Sequence, residues 1–290
     1  MTAFAGLLVA TLVTLLGSIA ISLAAWLVAF VREPAPAAGP AGGDAAGTIR
    51  ISAQTTTLAG VVLAAILLLG ALVMRTAVTG HAPWSNLHEF SAAFACGLLV
   101  VYLALARTRP IGALAPGVAA VAAALVGVSL AQPDDVLPLV PALQAPLLLT
   151  IHVGTAMLAY AIGAVAFAAA VGELAQRAAG DGLAMLPSAA VCRAAAHRAA
   201  ILAFPILTAA ILLGSVWANL AWRSYWNNDP KELAAAATWL VYGGYLHVAG
   251  RRDRWAALSP WLLVLGFAAI VFTWLGAGLL FVGQHSYAGA

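Results

Sequence analysis

The sequence predicts an all-α, polytopic membrane protein with about eight transmembrane helices. Hydrophobic residues make up 64% of the chain and charged residues only 8%, which leaves too little polar surface to cover a water-soluble globule. The apolar runs are continuous, rich in Ala, Leu and Val, and long enough to cross a bilayer, which takes about 20 helical residues. Transmembrane β-strands would instead show short segments of alternating hydrophobicity. A helical bundle is therefore the expected fold.

Eight uncharged segments are the candidate transmembrane helices: 4–31, 52–74, 90–106, 111–131, 147–172, 199–219, 233–249 and 259–282. The first differs from a cleaved signal peptide, because no basic residue precedes it and its apolar run exceeds the h-region of such peptides. Residues 33–47 are mainly Ala, Gly and Pro, which predicts a flexible linker. We therefore divide the chain into an N-terminal helix with its linker, residues 1–54, and a main transmembrane domain, residues 55–290.

The start of the seventh segment carries local helix signals. Asp229 suits the N-cap position, Pro230 suits the first helical position, and Glu232 completes an acidic variant of the capping box. Helix capping alone accounts for these residues. It does not account for the aromatic residues that precede them.

Residues 217–232 form a polar, tryptophan-rich loop between two apolar segments, with large aromatic side chains at Trp217, Trp222, Tyr225 and Trp226. Trp222 and Trp226 are four positions apart, so a helical turn would place them on one face. Aromatic rings of this kind favour the membrane boundary, and they offer a flat surface to a planar hydrophobic ligand. An ordinary interfacial aromatic belt is the alternative interpretation.

The basic residues predict the orientation in the membrane. With the N-terminus outside, the outer loops hold only Arg75, Arg223 and Lys231, whereas the inner side holds Arg32, Arg50, Arg107, Arg109, Arg177, Arg193, Arg198, Arg251, Arg252 and Arg254. Because inner loops carry the excess of Lys and Arg, both termini are expected outside. The net charge of +3 reflects this excess and gives no reason to expect nucleic acid as a partner.

Four of the six histidines share the predicted outer side with the tryptophan-rich loop, namely His81, His88, His152 and His285. His247 lies near the opposite, cytoplasmic end of the seventh segment. A single histidine at a helix end is most often an interfacial hydrogen-bonding residue. Two imidazoles at one depth can, however, offer neutral nitrogens to one iron, and haem accepts axial imidazoles.

Several chemical motifs are absent from the sequence. The chain has no Cys-x-x-Cys-His, no phosphate loop and no His-Glu-x-x-His, which argues against c-type attachment of haem to the chain itself and against zinc hydrolysis. Cys96 is expected in the third helix and Cys192 on the inner side, so no disulfide is expected between them.

The tryptophan-rich segment resembles the haem-handling domain of the CcsA (ResC) family of cytochrome c biogenesis system II. The similar residues within and after the loop are 214–219, 222, 225–226, 229–232, 238–242 and 245–247. Further similar residues occur at 80–83, 85–87, 89, 144–146, 151–153, 160 and 283–287. The resemblance therefore extends over most of the chain from residue 80 onward.

The resemblance implies a haem carrier in the plasma membrane. Such a protein moves haem b to the outer face and presents it for thioether attachment to the Cys-x-x-Cys-His of an apocytochrome c. It implies that His152 and His285 are axial ligands in the outer site and that His247 receives haem near the cytoplasm. The loop residues that it implies for haem binding are Trp217, Trp222, Tyr225, Trp226, Asp229 and Glu232. Haem lyase activity would require a CcsB (ResB)-like membrane partner.

The sequence departs from the family pattern at three positions. Asn228 stands where the family usually has Trp, Arg223 where Gly is usual, and His88 where Tyr is usual. His81, His88 and Arg223 are possible additional haem contacts, and Arg223 or Lys231 could pair with haem propionates. Two other functions stay open: a haem carrier of the CcmC or CcmF type with another acceptor, and a b-type haem electron-transfer subunit.

Overall fold

A computed structural model describes residues 3–32, 43–144, 146–251 and 255–285. These residues form helices and connecting loops, without a strand in the described ranges. The helices are α1 (Ala3–Arg32), α2 (Gly43–Thr79), α3 (Leu87–Ala106), α4 (Ala115–Leu130), α5 (Pro146–Ala178), α6 (Ala189–Trp222), α7 (Pro230–Ala249), α8 (Trp255–Val271) and α9 (Ala277–Leu280). A π-helix, Phe272–Gly276, joins α8 to α9, and short 3₁₀ turns lie at Gly112–Leu114 and Pro141–Leu143.

The all-α fold class is confirmed. Within the described residues, seven spans are long and apolar enough to cross a membrane: Ala3–Ala25, Ala53–Thr79, Leu87–Ala106, Gly112–Leu130, Leu147–Ala178, Ala189–Trp222 and Ala257–Leu280. The eighth predicted segment, 233–249, forms α7, which is less apolar than these seven. Its 20 residues span about 30 Å at the helical rise of ~1.5 Å per residue.

Helix α7 lies antiparallel to α8 and is held by side-chain contacts along its length. At its start, Asp229 Oδ2 accepts the Gln284 amide at 2.6 Å. Further along α7, the Thr238 hydroxyl is 3.1 Å from the Thr273 hydroxyl. On its other side, the Trp239 indole donates to the Thr208 hydroxyl at 2.8 Å. These contacts embed α7 between α6 and α8 despite its lower hydropathy.

The sequence-predicted start of α7 is confirmed. The Asp229 side chain caps the helix by accepting a hydrogen bond from the Lys231 amide at 2.9 Å. The Glu232 carboxylate accepts a hydrogen bond from the Asp229 amide at 3.1 Å. Pro230 is the first helical residue. The capping box thus fixes where the loop ends and the helix begins, because two otherwise unpaired amides are satisfied there.

Successive loops between the helices lie at opposite ends of the bundle, which we call the site end and the arginine end. The site end is formed by loops 80–86, 131–144 and 223–229 together with residues 281–285; the arginine end is formed by loops 107–111 and 179–188 and by residues 250–251. The site end carries Arg75, Arg223 and Lys231, whereas the arginine end carries Arg107, Arg109, Arg177, Arg193, Arg198 and Arg251. The two predicted groups of basic residues are therefore separated in space, and the assignment of these ends to membrane sides stays a prediction.

Several helices extend beyond the apolar segments that predicted them. Helix α2 begins at Gly43 instead of residue 52, so it includes residues 43–47 of the predicted linker. It also continues without a break across residues 54 and 55, between which the chain was divided. The other linker residues, 33–42, lie outside the described residues. Helix α6 contains 34 residues, because its first turns, rich in Ala and Arg, favour helix without being apolar.

Candidate functional site

A cavity opens at the site end between helices α3, α5, α6 and α7 and the π-helix. Its empty volume, with the open mouth included, is about 1130 Å³. Its walls hold seven large aromatic side chains: Trp84, Phe90, Tyr160, Trp217, Tyr225, Trp226 and Trp274. A mostly apolar cavity of this size with a few polar groups is the usual form of a small-molecule or cofactor site.

His152 lies in the cavity wall with a defined tautomer. Its Nδ1 is 3.0 Å from the Ala210 carbonyl of α6. Because a carbonyl oxygen can only accept, His152 donates through Nδ1, and its Nε2 carries the lone pair. A metal-binding histidine is typically oriented by such a hydrogen bond from its other ring nitrogen.

Gly214 makes room for the His152 ring. A Cβ at this position would lie 2.6 Å from His152 Cε1 and 3.2 Å from Nδ1. These distances are well inside the normal carbon–carbon contact of about 3.5–4.0 Å. The missing side chain therefore lets the imidazole lie directly against α6.

His285 is oriented by a carboxylate. Its Nδ1 lies 2.7 Å from Asp229 Oδ1, and the Asp229 side chain is only 2% exposed. Burial by itself raises the pKa of the Asp229 carboxyl, but the hydrogen bond and charge of His285, with the amides of Lys231 and Gln284, lower that pKa to about 2. Asp229 is thus ionised at neutral pH and accepts from His285 Nδ1, so in the neutral form of His285 the lone pair lies on Nε2.

Trp217 connects the two histidines. Its ring stacks on His152 with centroids 6.0 Å apart and an interplanar angle of 13°, and it lies 5.7 Å from the His285 ring. Its indole donates to the Ala142 carbonyl at 3.2 Å, and the residue is 2% exposed. Trp222 packs edge-on against both Trp217 and His285, at 4.7 and 4.8 Å. The two imidazoles are therefore held on a rigid aromatic support.

The prediction that a helical turn places Trp222 and Trp226 on one face is wrong. Helix α6 ends at Trp222, and Arg223 adopts the left-handed conformation with φ 60°. Trp226 lies beyond this turn, where its indole donates to the Asn228 side chain at 3.0 Å. Asn228 is also left-handed, with φ 54°. Two of the three positions at which the sequence departs from the family pattern, Arg223 and Asn228, thus have positive φ, which Gly and Asn adopt more readily than Arg or Trp.

The predicted site residues divide into three groups. Tyr225, Trp226 and Glu232 line the cavity with His152, Trp217 and His285, whereas Trp222 and Asp229 lie behind the lining and support it. Four further residues do not reach the cavity: His81, His88, Arg223 and His247. Arg223 and His247 are exposed, and His247 lies near the arginine end of α7.

His88 has a structural position. It is 2% exposed, its Nδ1 donates to the Ser129 carbonyl at 2.7 Å, and its ring packs edge-on against Phe4 at 5.0 Å. The side chain thus joins α3 to α4 and α1. The sequence placed His88 in the outer loop before the third helix, whereas it lies in the first turn of α3 and its side chain packs away from the cavity.

A buried ion pair that the sequence did not reveal holds two of the loops at the site end. Arg75 Nε donates to Glu89 Oε1 at 2.8 Å, with side chains 5% and 1% exposed. The remaining guanidinium nitrogens bind the carbonyls of Asp134 and Asp135 at 2.8 and 3.0 Å. Glu89 Oε2 accepts both the amide and the hydroxyl of Ser85, at 3.0 and 2.8 Å. The pair therefore links the Ser85 edge of the cavity to the loop that supports Trp217.

The cavity suits a planar ligand that carries its own metal. Within the described ranges, no group of three or more His, Cys, Asp or Glu could hold a bare metal ion. Two imidazoles, each oriented through Nδ1, are the number of axial ligands that an iron porphyrin accepts. The surrounding indole and phenyl rings can pack against a flat aromatic face. Trp84, Phe90 and Trp274 were not predicted, because their contribution depends on helix packing.

Known proteins resemble this chain over most of its length. Residues 84–285 match the model of a family described as cytochrome C assembly protein. The cytochrome c biogenesis protein CcsA of Parasynechococcus marenigrum is 35% identical over 263 residues, covering 78% of this chain and 84% of the relative. The protein of the same name from Synechococcus elongatus is 32% identical over 284 residues, covering 79% and 86%.

A solved structure shares the fold. The cytochrome c haem lyase CcmF aligns with a TM-score of 0.61 at 21% identity. The alignment covers 94% of this chain and 47% of CcmF, so the chain spans about half the length of that protein. At this identity the likeness concerns the helical architecture.

Proposed function

The chain belongs to the cytochrome C assembly protein family, and from this membership we propose that its cavity binds haem b and presents it at the outer face of the plasma membrane. The acceptor would be the Cys-x-x-Cys-His segment of an apocytochrome c, to which haem is attached through thioether bonds. The chain is a multi-pass membrane protein of cytochrome c biogenesis. The proposal adds the ligand, its site and the direction of presentation.

The observation that carries this proposal is the pairing of His152 and His285 in one aromatic cavity. Both rings contact Trp217, and each Nδ1 has an acceptor, the Ala210 carbonyl for one and the Asp229 carboxylate for the other. A neutral imidazole whose Nδ1 donates in this way has its lone pair on Nε2, the nitrogen that would bind iron. The two histidines are 133 positions apart in the sequence, and they are the pair that the family resemblance singled out.

The residues of this chain would act mainly by positioning. The two imidazoles would hold the iron, and the aromatic wall would hold the porphyrin plane, so that the approaching thiols meet a fixed partner. Fixing two reactants in this way replaces a bimolecular encounter by an effectively unimolecular one. The histidine of the substrate segment would then replace one of the two imidazoles and release the product.

His247 would serve at an earlier step. It is exposed on α7 near the arginine end of the bundle, far along the helix from the capping box at Asp229. We propose that it receives haem there together with a CcsB (ResB)-like membrane partner. The exposure of the ring is compatible with a shared site, because a second protein could approach it.

The proposal is tested by the optical spectrum of the protein purified in mild detergent, with and without a CcsB-like partner. His152→Ala and His285→Ala should each reduce the haem b retained and weaken the low-spin spectrum. His81→Ala is the matched control, because His81 lies at the same end of the bundle but outside the cavity. Haem content that is the same in all three variants and the wild type would reject the ligand assignment.

A further inference from the structure

We infer that the ammonium group of Lys231 binds a propionate carboxylate of haem in the cavity, an inference that rests on the haem-binding function proposed above. Sequence reasoning left Arg223 and Lys231 as equal candidates for this contact. The cavity geometry distinguishes them. Lys231 lines the cavity beside His152 and His285, whereas Arg223 is exposed and lies outside its walls.

Lys231 is a half-buried cation that the Asp229 carboxylate attracts electrostatically but does not contact as an ion pair. In the described part of the chain, no ion pair is formed by its side chain; only its backbone amide is engaged, by the Asp229 carboxylate. A desolvated ammonium without a carboxylate in direct contact is unfavourable. An anionic group of a ligand would remove this cost by entering the cavity.

The two acids nearest in sequence accept hydrogen bonds from groups other than the Lys231 ammonium. Asp229 accepts from His285 and from the amides of Lys231 and Gln284. Glu232 Oε2 accepts the amides of Asn227 and Asp229, at 2.8 and 3.1 Å. The two carboxylates thus serve the helix cap and the histidine.

Local structure gives no reason for a cation at this position. Lys231 lies in the first turn of α7, where the helix dipole favours negative charge and disfavours Lys. The capping box uses the side chains of Asp229 and Glu232 and does not involve the Lys231 side chain. A side chain that the helix disfavours, but that faces the cavity, points to a role in binding.

The other cations among the described residues are paired with an acid or lie away from the cavity. Arg75 is paired with Glu89. The remaining described arginines other than Arg223 lie toward the arginine end of the bundle. Within the described ranges, Lys231 is therefore the cation that lines this cavity.

Haem has the complementary chemistry. Its porphyrin is a flat apolar ring for the aromatic walls, and its two propionates are carboxylates at one edge. An ammonium–carboxylate contact shielded from water is a charge-assisted hydrogen bond, about twice as strong as a neutral one. Lys231 would therefore select for a porphyrin with free acids and would set which edge lies near α7.

The test compares iron protoporphyrin IX with its dimethyl ester, which keeps the ring and iron but removes both negative charges. Each ligand is titrated into the full-length, haem-free protein in detergent, and the dissociation constant is read from the Soret band. We expect the wild type to bind the free acid about tenfold more tightly than the ester, equivalent to ~1.4 kcal/mol. Lys231→Met should bring the ratio of the two constants close to one while leaving the affinity for the ester nearly unchanged.

Two further variants complete the design. Lys231→Arg should keep most of the preference, because the positive charge is retained. Arg223→Met should behave as the wild type, because it removes a cation of the same loop that lies outside the cavity. Since each ratio compares two ligands on one protein, partition of the ester into detergent cancels between variants.

The possible outcomes separate this inference from the proposed function. A ratio in Lys231→Met that equals the wild-type ratio, or equal binding of acid and ester by the wild type, would overturn the role of Lys231 while leaving haem binding intact. The absence of a Soret change with both ligands would instead reject the proposed haem site itself.

Discussion

Gly214 allows the orientation of His152 to be perturbed without removing the imidazole. In Gly214→Ala, the new methyl group would lie 2.6 Å from His152 Cε1 and 3.3 Å from Nε2. To restore a carbon–carbon contact of about 3.5 Å, the ring must move by roughly 1 Å. A displacement of this size breaks the alignment of Nδ1 with the Ala210 carbonyl, which is 3.0 Å away, or turns Nε2 away from the iron position.

Two opposing contributions determine the stability of this variant. Alanine in a helix interior is favoured over glycine by about 1 kcal/mol, whereas overpacking of a well-packed site costs about 1–3 kcal/mol. We therefore expect a small net loss of stability, about 0–2 kcal/mol, and a much larger effect on the ligand. A misplacement of about 1 Å can reduce the function of a positioned group by ~100-fold. Haem affinity should fall at least tenfold.

The assay measures haem affinity by the Soret titration and folding by the thermal midpoint of the purified protein. Gly70→Ala is the matched control, because Gly70 also lies inside a helix and a Cβ there would meet no atom within 4 Å. The control should keep the haem affinity and gain slightly in stability. If Gly214→Ala binds haem with wild-type affinity and an unchanged low-spin spectrum, then the position of the His152 ring does not control the site, and the reasoning is wrong.

Three further predictions concern the residues that support the site. Arg75→Ala leaves the Glu89 carboxylate buried and unpaired, which costs about 3–5 kcal/mol. The thermal midpoint should therefore fall markedly, and it should fall less in Glu89→Gln. An unchanged midpoint in both variants would contradict the role of the ion pair in supporting the site. Arg223→Gly relieves a left-handed residue and should stabilise the protein by up to ~1 kcal/mol, visible as a higher midpoint; a lower midpoint would show that the Arg223 side chain contributes more than the backbone strain costs. The pKa of Asp229, lowered to about 2, means that its stabilising contribution is complete above the unfolded value of ~4 and is lost as the pH falls toward 2. Proteolysis of loop 223–229 should therefore increase near pH 2 and not near pH 4. In Asp229→Asn, the same loop should be cleaved readily at neutral pH also.

Local features of the chain account for what was predicted correctly. Hydropathy and segment length predicted the helical bundle, because a backbone in lipid must satisfy its hydrogen bonds within each segment. The capping box at Asp229 and Glu232 was equally predictable, since it involves residues only three positions apart. The ends of α2 and α6 were less accurate, because polar residues with high helix propensity extend a helix beyond its apolar part.

The site depended on contacts between distant residues. The sequence placed His152 and His285 at one membrane depth, and the family resemblance named them as a ligand pair. In the structure both rings meet at Trp217. The same sequence evidence placed His88 beside them, although its side chain turns to Ser129. Which face of a helix points inward is decided by its neighbours, and these were not known from the chain.

The sequence by itself determined that the chain crosses the membrane as helices, that its basic residues separate into two groups, and where α7 begins. Each of these follows from composition or from residues close together in the chain. Only the tertiary structure decided that Lys231 and not Arg223 faces the cavity, that α6 ends in a left-handed turn at Arg223, and that Arg75 pairs with Glu89. These depend on packing between helices, where burial and a specific hydrogen-bond partner select one side chain among several that are chemically equivalent in the sequence.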